Sequence, residues 1–134
     1  MKGVLISLVF TLFIAVVPAV NGQSWQKTVS IAKGREKAIQ RSGTKIKFLD
    51  VVEDSRCPVD VNCVWAGNAK VKVEVRSGRG RPRIFELNSA LAPTVISYAG
   101  YDFKLVNLTP ALRSNVRINP DKYVATIEVK RSVR

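Results

Sequence analysis

The 134-residue chain contains no histidine and only two cysteines. Without histidine, neither a Ser-His-Asp nor a Cys-His catalytic group can be assembled, and the usual acid and base for neutral pH is missing. The sequence also lacks GxGxxG, P-loop and HExxH motifs. Its carboxylates are too many, and none of their spacings singles out a pair for glycoside hydrolysis. We therefore expect a protein that is not an enzyme and that uses no cofactor.

The two cysteines, Cys57 and Cys63, lie close together in the sequence. In an oxidising compartment an even number of cysteines predicts a disulfide, which here would close a seven-residue ring. A ring of this size contributes on the order of 2 kcal/mol in the chain-entropy model, so it shapes a loop more than it holds the fold. The spacing is not CxxC, and too few ligands are present for a structural zinc site, so we predict no metal.

A long uncharged run occurs only at the N-terminus, where Val4 to Val17 follows Lys2 and precedes Pro18. This layout is typical of a signal peptide covering residues 1–22 and cleaved after Gly22, with cleavage after Ala19 as the alternative. An uncleaved anchor is less favoured because fourteen residues fall short of the roughly 20 that span a bilayer. We expect a secreted or periplasmic protein whose mature form, residues 23–134, is a single β domain without a transmembrane anchor.

The mature chain has a strong excess of positive charge. It carries 21 Lys and Arg, which is the total of 22 less Lys2, against 10 acids, so its formal charge is +11. Such a field attracts anionic partners, including acidic polymers, membrane surfaces and acidic proteins, although the charge alone also favours solubility. Three cations at the tip of one predicted hairpin are the candidate anion-binding residues: Arg79, Arg81 and Arg83. The alternative for these three is an ordinary solvated turn.

Alternation of polar and apolar residues runs through the mature chain, most clearly over 70–76, where Val71, Val73 and Val75 share one face. A Gly- and Pro-containing turn at 77–82 and a returning strand at 83–87 complete a predicted hairpin. Further strands are predicted over 25–31, 35–41, 45–49, 94–98, 101–108 and 122–130. The segment 35–41 also fits a helical turn, and a bulge is expected near Leu49 and Asp50. We predict an all-β fold, a small antiparallel sandwich or barrel of about seven strands.

The least generic segment is 50–67, DVVEDSRCPVDVNCVWAG. It resembles an uncharacterised family of small exported bacterial proteins with the motif EDSRCPxxVxCxWxG. The matching residues are Glu53, Asp54, Ser55, Arg56, Cys57, Pro58, Val61, Cys63, Trp65 and Gly67, followed later by Tyr101, Phe103, Leu105, Leu108 and Pro110. The resemblance covers about residues 44–130 and implies no chemistry, since no function is assigned to that family.

Physical chemistry suggests two roles for this segment. In the structural role, Asp54 and Ser55 cap a turn, Pro58 stiffens the loop and Trp65 covers the disulfide on the core side. In the functional role, a rigid loop forms a contact surface, with these candidate interaction residues: Asp54, Arg56, Pro58, Asp60 and Trp65. The acids Asp50, Glu53, Asp54 and Asp60 are also hard oxygen ligands for Ca²⁺, although a plain Asp54–Arg56 pair explains Asp54 as well.

Two functions follow as hypotheses. The first is a binding module for an anionic envelope component or acidic polymer, based on the net charge and the arginine-rich turn. The second is a protein-interaction or inhibitor module that uses the preorganised Cys57–Cys63 loop. A nucleic-acid partner is less favoured because the sequence has no basic stripe interleaved with aromatic residues.

Overall fold

A computed structural model describes residues 25–133, so the predicted signal peptide lies outside the described residues. The described chain forms eight β-strands and one 3-10 turn, Pro120–Lys122. The strands are β1 Gln26–Ala32, β2 Glu36–Ile39, β3 Thr44–Asp54, β4 Ala69–Ser77, β5 Arg83–Asn88, β6 Ile96–Tyr98, β7 Tyr101–Thr109 and β8 Val124–Arg131. No helix within the described range is long and apolar enough to cross a membrane.

The strands form two antiparallel sheets of four strands each. The first sheet has the order β1-β8-β7-β6, and the second has the order β2-β3-β4-β5. The sheets face each other across a shared core and do not close on one another, which confirms the predicted small sandwich and rules out the barrel. The eight strands agree with the prediction of about seven, and residues 36–39 pair with β3 as a short edge strand, which confirms the strand predicted over 35–41 against the helical turn.

The core follows from the period-two pattern of the strands. Val71, Val73 and Val75 point inward from the second sheet, and the inward residues of β8 come from the first. Seventeen apolar side chains of both sheets are buried together, and burying each large one contributes about 1.5–3 kcal/mol. The largest fully buried ones are Phe48, Phe103, Ile31, Ile39, Ile46, Leu87, Leu105 and Ile127.

Strand β3 contains the predicted bulge. Its register against β4 shifts between Phe48 and Asp50 and again between Val51 and Glu53. The predicted alternation breaks here because extra residues are inserted, yet the strand continues beyond the bulge. Asp50 meets Lys33 at 2.9 Å beside the bulge. The continuation carries the EDSRC motif out to the end of the sandwich.

The two ends of the second sheet are made differently. At one end, the short turns 40–43 and 78–82 connect neighbouring strands, and the Gly78 N–H donates to the Gly43 carbonyl at 2.9 Å. At the other end lie the long loops 55–68 and 110–119 and the beginning of 89–95, which together we call the loop end. Strand β3 spans 11 residues between them, or roughly 35 Å.

Candidate binding surfaces at the two ends of the sandwich

A buried ionic network underlies the loop end. The guanidinium of Arg56 donates to both carboxylate oxygens of Asp54, at 2.6 and 2.7 Å. It also donates to the carbonyls of Leu108 and Pro110. The phenol of Tyr123 donates to Asp54 at 2.9 Å. The network therefore ties the end of β3 in the second sheet to β7 and β8 in the first.

The network keeps Asp54 ionised despite its burial. The side chains of Asp54 and Arg56 are only 8% and 18% exposed. Burial alone would raise the pKa of Asp54, but the hydrogen bonds from Arg56 and Tyr123 outweigh it and lower that pKa. For Tyr123, burial and the neighbouring carboxylate raise the pKa to about 12. Asp54 thus acts as an ion-pair partner, and the hydroxyl of Ser55 donates to the carbonyl of Asn68, thirteen residues away, which joins the two ends of the loop 55–68.

The Cys57–Cys63 disulfide forms as predicted, with the two Cα atoms 5.9 Å apart. The loop is further fixed by a Cys57 N–H bond to the Ala66 carbonyl and a Val59 N–H bond to the Leu112 carbonyl. Gly67 lies where a Cβ would sit 1.8 Å from the Ser55 carbonyl oxygen, and its φ is +75°. Only glycine fits here, where the backbone at Gly67 passes close to the backbone at Ser55.

Asp60 connects the disulfide loop to the loop 110–119. Its carboxylate accepts three hydrogen bonds from Ser114, from the backbone N–H and from the hydroxyl. These bonds lower the pKa of Asp60. Because Asp60 is fixed in this way, the two loops form one braced unit.

Five of the exposed side chains of this unit are large and apolar, and one of them corrects the prediction for Trp65. Trp65 is 54% exposed and does not cover the disulfide on the core side. Val59, Val61 and Val116 are also exposed, and Val64 is fully exposed. We call these five residues the apolar tip.

The opposite end of the second sheet is basic. Lys45 and Arg76 are direct cross-strand neighbours, and the linked turns 40–43 and 78–82 contribute Arg41, Arg79 and Arg81. Lys27 reaches this end from the first sheet through its ammonium, 3.1 Å from the Gln40 side-chain oxygen. The arginines are all exposed. We call these six residues the basic end.

Arg83 departs from the predicted array of three cations. Its guanidinium lies 5.6 Å from the centre of the Tyr98 ring, in a cation–π contact. Arg83 begins β5 and faces the same side as Val75, opposite the charged face that carries Lys45 and Arg76. The predicted trio is therefore divided, and Arg41 and Arg76 join Arg79 and Arg81 instead.

The carboxylates that were considered as Ca²⁺ ligands are not brought together. Asp54 pairs with Arg56, Asp50 with Lys33, and Asp60 accepts from Ser114. Glu53 accepts from the hydroxyl of Ser55. Among residues 25–133 no three acidic, cysteine or histidine side chains are grouped as a metal site would require.

Some residues of both surfaces were missed by the sequence analysis. Arg41 and Arg76 are far apart in sequence, and only the register of β2, β3 and β4 brings them to one end. Val116 joins the tip through the Asp60–Ser114 bonds, which leave no pattern in the sequence. The exposure of Val64 could have been predicted from the sequence. It directly follows Cys63, and a small disulfide ring has few neighbouring residues that could cover its side chain.

Comparison of the chain with family models, with curated proteins and with solved structures gave no match.

Proposed function

We propose that this protein is an exported, non-enzymatic module that binds an acidic polymer of the envelope through the basic end. The observation that carries the proposal is the concentration of cations on two adjoining turns. Arg41, Arg79 and Arg81 lie on these turns, and Lys45 and Arg76 lie on the strands that they connect. A polymer of repeating negative charge contacts several such groups at once, so weak single contacts add up.

Two of the acidic residues near the basic end are engaged by partners. Glu36 lies 3.4 Å from Lys45, and Glu128 accepts from Gln26 at 2.7 Å. At the loop end, by contrast, Asp54 and Asp60 sit beside the arginines. The basic end therefore has a larger excess of cations than the loop end, which favours an oriented contact over a diffuse effect on solubility.

The chemistry of the cations favours polymers with phosphate or sulfate groups. Arginine predominates at the basic end, and its planar guanidinium donates two parallel hydrogen bonds to an oxyanion. Gly78 precedes Arg79, and Gly80 separates it from Arg81; both arginine side chains are exposed and accessible to a strand of polymer.

Retention on heparin and on immobilised polyphosphate tests the proposal. We expect retention by the mature chain to weaken steeply as salt rises, because bound counterions are released. Replacing Arg79→Gln together with Arg81→Gln should lower the slope of log affinity against log salt by about two, one for each lost contact.

The matched control is Arg113→Gln with Arg117→Gln, which removes the same charge at the loop end. If this control weakens retention as much as the Arg79 and Arg81 pair does, the charge acts as a whole and the basic end is not a site. Retention that does not change between low and moderate salt would also contradict the proposal.

A further inference from the structure

The exposed apolar side chains of the described chain are unevenly distributed. Eleven large hydrophobic residues are exposed. The strands, the 93–95 stretch and the C-terminal segment carry five of them: Val52, Ile84, Val95, Val106 and Val133. The loop end carries the other six: the apolar tip, Val59, Val61, Val64, Trp65 and Val116, and beside it Leu91. Isolated apolar residues on a surface are ordinary, but a concentration of this kind marks a contact site.

The apolar tip is held outward by the rest of the loop end. The disulfide, the Asp60–Ser114 bonds and the Val59–Leu112 backbone bond fix both loops. Leu91 is fixed to the same base, since its N–H donates to the buried side chain of Asn68. Because these constraints keep the side chains from folding back, the cost of exposing them to water is built into the fold.

The charges around the tip favour a negatively charged partner. The loops 55–68, 89–95 and 110–119 contain three arginines and one aspartate. Arg56 is engaged below the surface by Asp54, and the aspartate, Asp60, is bonded to Ser114. Arg113 and Arg117 are exposed on either side of Val116. The tip is thus an apolar centre with cations on its flank.

We propose that the loop end inserts into the surface of a lipid bilayer that contains anionic headgroups. Val59 and Val64 enter the boundary of the acyl chains, and Trp65 lies at the level of the headgroups, where its amphipathic ring is favoured. Arg113 and Arg117 reach the lipid phosphates from the flank, as arginine side chains do at membrane interfaces.

The origin of the tip residues favours a bilayer over a protein partner. Its apolar side chains come from two separate loops, 55–68 and 110–119, and not from one face of a strand. A bilayer surface yields to side chains from separate loops, whereas a protein partner would have to supply a surface complementary to both of them. The tip is also about 35 Å from the basic end, several times the screening distance of about 8 Å, so the two surfaces act independently.

Fluorescence of Trp65 tests the insertion directly. The chain has two tryptophans, so Trp25→Phe leaves Trp65 as the only emitter and keeps a ring against Tyr101. The protein should be the chain that begins at Gln23, which contains the whole described sandwich. The vesicles should contain about three parts phosphatidylcholine to one of phosphatidylglycerol, which gives a negative surface potential. We expect a blue shift of the Trp65 emission and quenching by brominated acyl chains.

A matched pair of valines provides the control. Val64→Ser should weaken vesicle binding about tenfold, since burying one valine corresponds to roughly that factor. Val133→Ser makes the same change at a residue that is 89% exposed but lies near Gly100, away from the tip, and should leave binding unchanged. Neither variant should change retention on heparin, so the failure of this inference and the failure of the proposed polymer binding are distinguishable.

Three results would overturn the proposal. The first is binding to vesicles without quenching of Trp65, which would mean that the basic end alone contacts the lipid. The second is the absence of binding to vesicles in which the folded protein is intact. The third is a stable dimer in sedimentation without lipid that Val64→Ser dissociates, which would assign the tip to a second copy of the chain.

Discussion

The basic end and the loop end differ in how their side chains are held in place. At the basic end, short turns follow from hairpin pairing, and exposed cations need no further support than the strands that carry them. At the loop end, long connections depart from the sheets and are tied by a disulfide, a buried ion pair and the close approach at Gly67. Most of the unusual residues in the chain therefore serve the loop end.

The comparison indicates why one end is charged and the other apolar. Charged side chains point into water without support, so a turn of ordinary stability is sufficient for them. Apolar side chains withdraw from water unless the backbone holds them out, so an exposed apolar tip requires a rigid base. The loop end therefore needs its disulfide and ion pair because its exposed side chains are apolar. Mutations at the loop end should lower the free energy of unfolding more than mutations at the basic end.

The largest difference in the free energy of unfolding is expected between two glycine-to-alanine substitutions, one at each end. Gly67→Ala places a methyl group 1.8 Å from the Ser55 carbonyl oxygen at a φ of +75°, so we expect a loss of about 4 kcal/mol or more in the free energy of unfolding. Gly78→Ala, at a φ of +55° with open space around it, should lose about 1 kcal/mol. Urea unfolding of both variants measures the difference, and equal losses would contradict the unequal bracing.

The next effect concerns the ion pairs. Arg56→Met leaves the carboxylate of Asp54 buried and removes the donor to the Leu108 and Pro110 carbonyls, so we expect a loss of about 3 kcal/mol. Lys45→Met breaks the exposed Lys45–Glu36 pair at the basic end and should change stability by no more than about 0.5 kcal/mol. The double variant Arg56→Met with Asp54→Asn should lose less than the sum of its single changes. If it loses the full sum, the pair is not coupled.

The strands could be predicted from sequence because their signal is local. Val71, Val73 and Val75 alternate with charged residues, and one buried face is enough to produce that pattern. The bulge near Asp50 was predicted for the same reason, because an inserted residue interrupts the alternation. The disulfide required only the number of cysteines and the predicted compartment.

The surfaces could not be predicted in full because they depend on distant contacts. The exposure of Trp65 depends on how the loop 55–68 is fixed to the rest of the protein, which includes the bonds from Arg56 to the carbonyls of Leu108 and Pro110. Tyr123 gave no sign of its bond to Asp54, 69 residues away. Arg83 belongs to the arginine run by sequence, yet the Tyr98 ring in the other sheet takes up its guanidinium.

Removing the disulfide should affect only one end. Cys57→Ser with Cys63→Ser opens a seven-residue ring, so we expect a loss of about 2 kcal/mol. Amide exchange should become faster at Cys57 and Val59, whose N–H groups bond to Ala66 and Leu112, while Gly78 at the basic end keeps its protection. Faster exchange at Gly78 by the same factor would show that the ring supports the whole fold.

The smallest effect is the alkaline response of Tyr123, which links the loop end to the core. Its pKa is 10.0 as a free phenol and about 12 in the folded protein. Because the folded-state pKa is the higher one, this contribution to stability is complete below pH 10 and is lost as the pH rises toward 12. At about pH 11 the loss is on the order of 1 kcal/mol. Urea unfolding across this range should show the loss, and Tyr123→Phe should remove this part of the pH dependence.

Tyr101→Phe serves as the control, because Tyr101 packs on Trp25 at the other end of the first sheet. If Tyr123→Phe and the unsubstituted protein lose stability in parallel between pH 10 and 12, the Tyr123–Asp54 bond does not hold the loop end to the core.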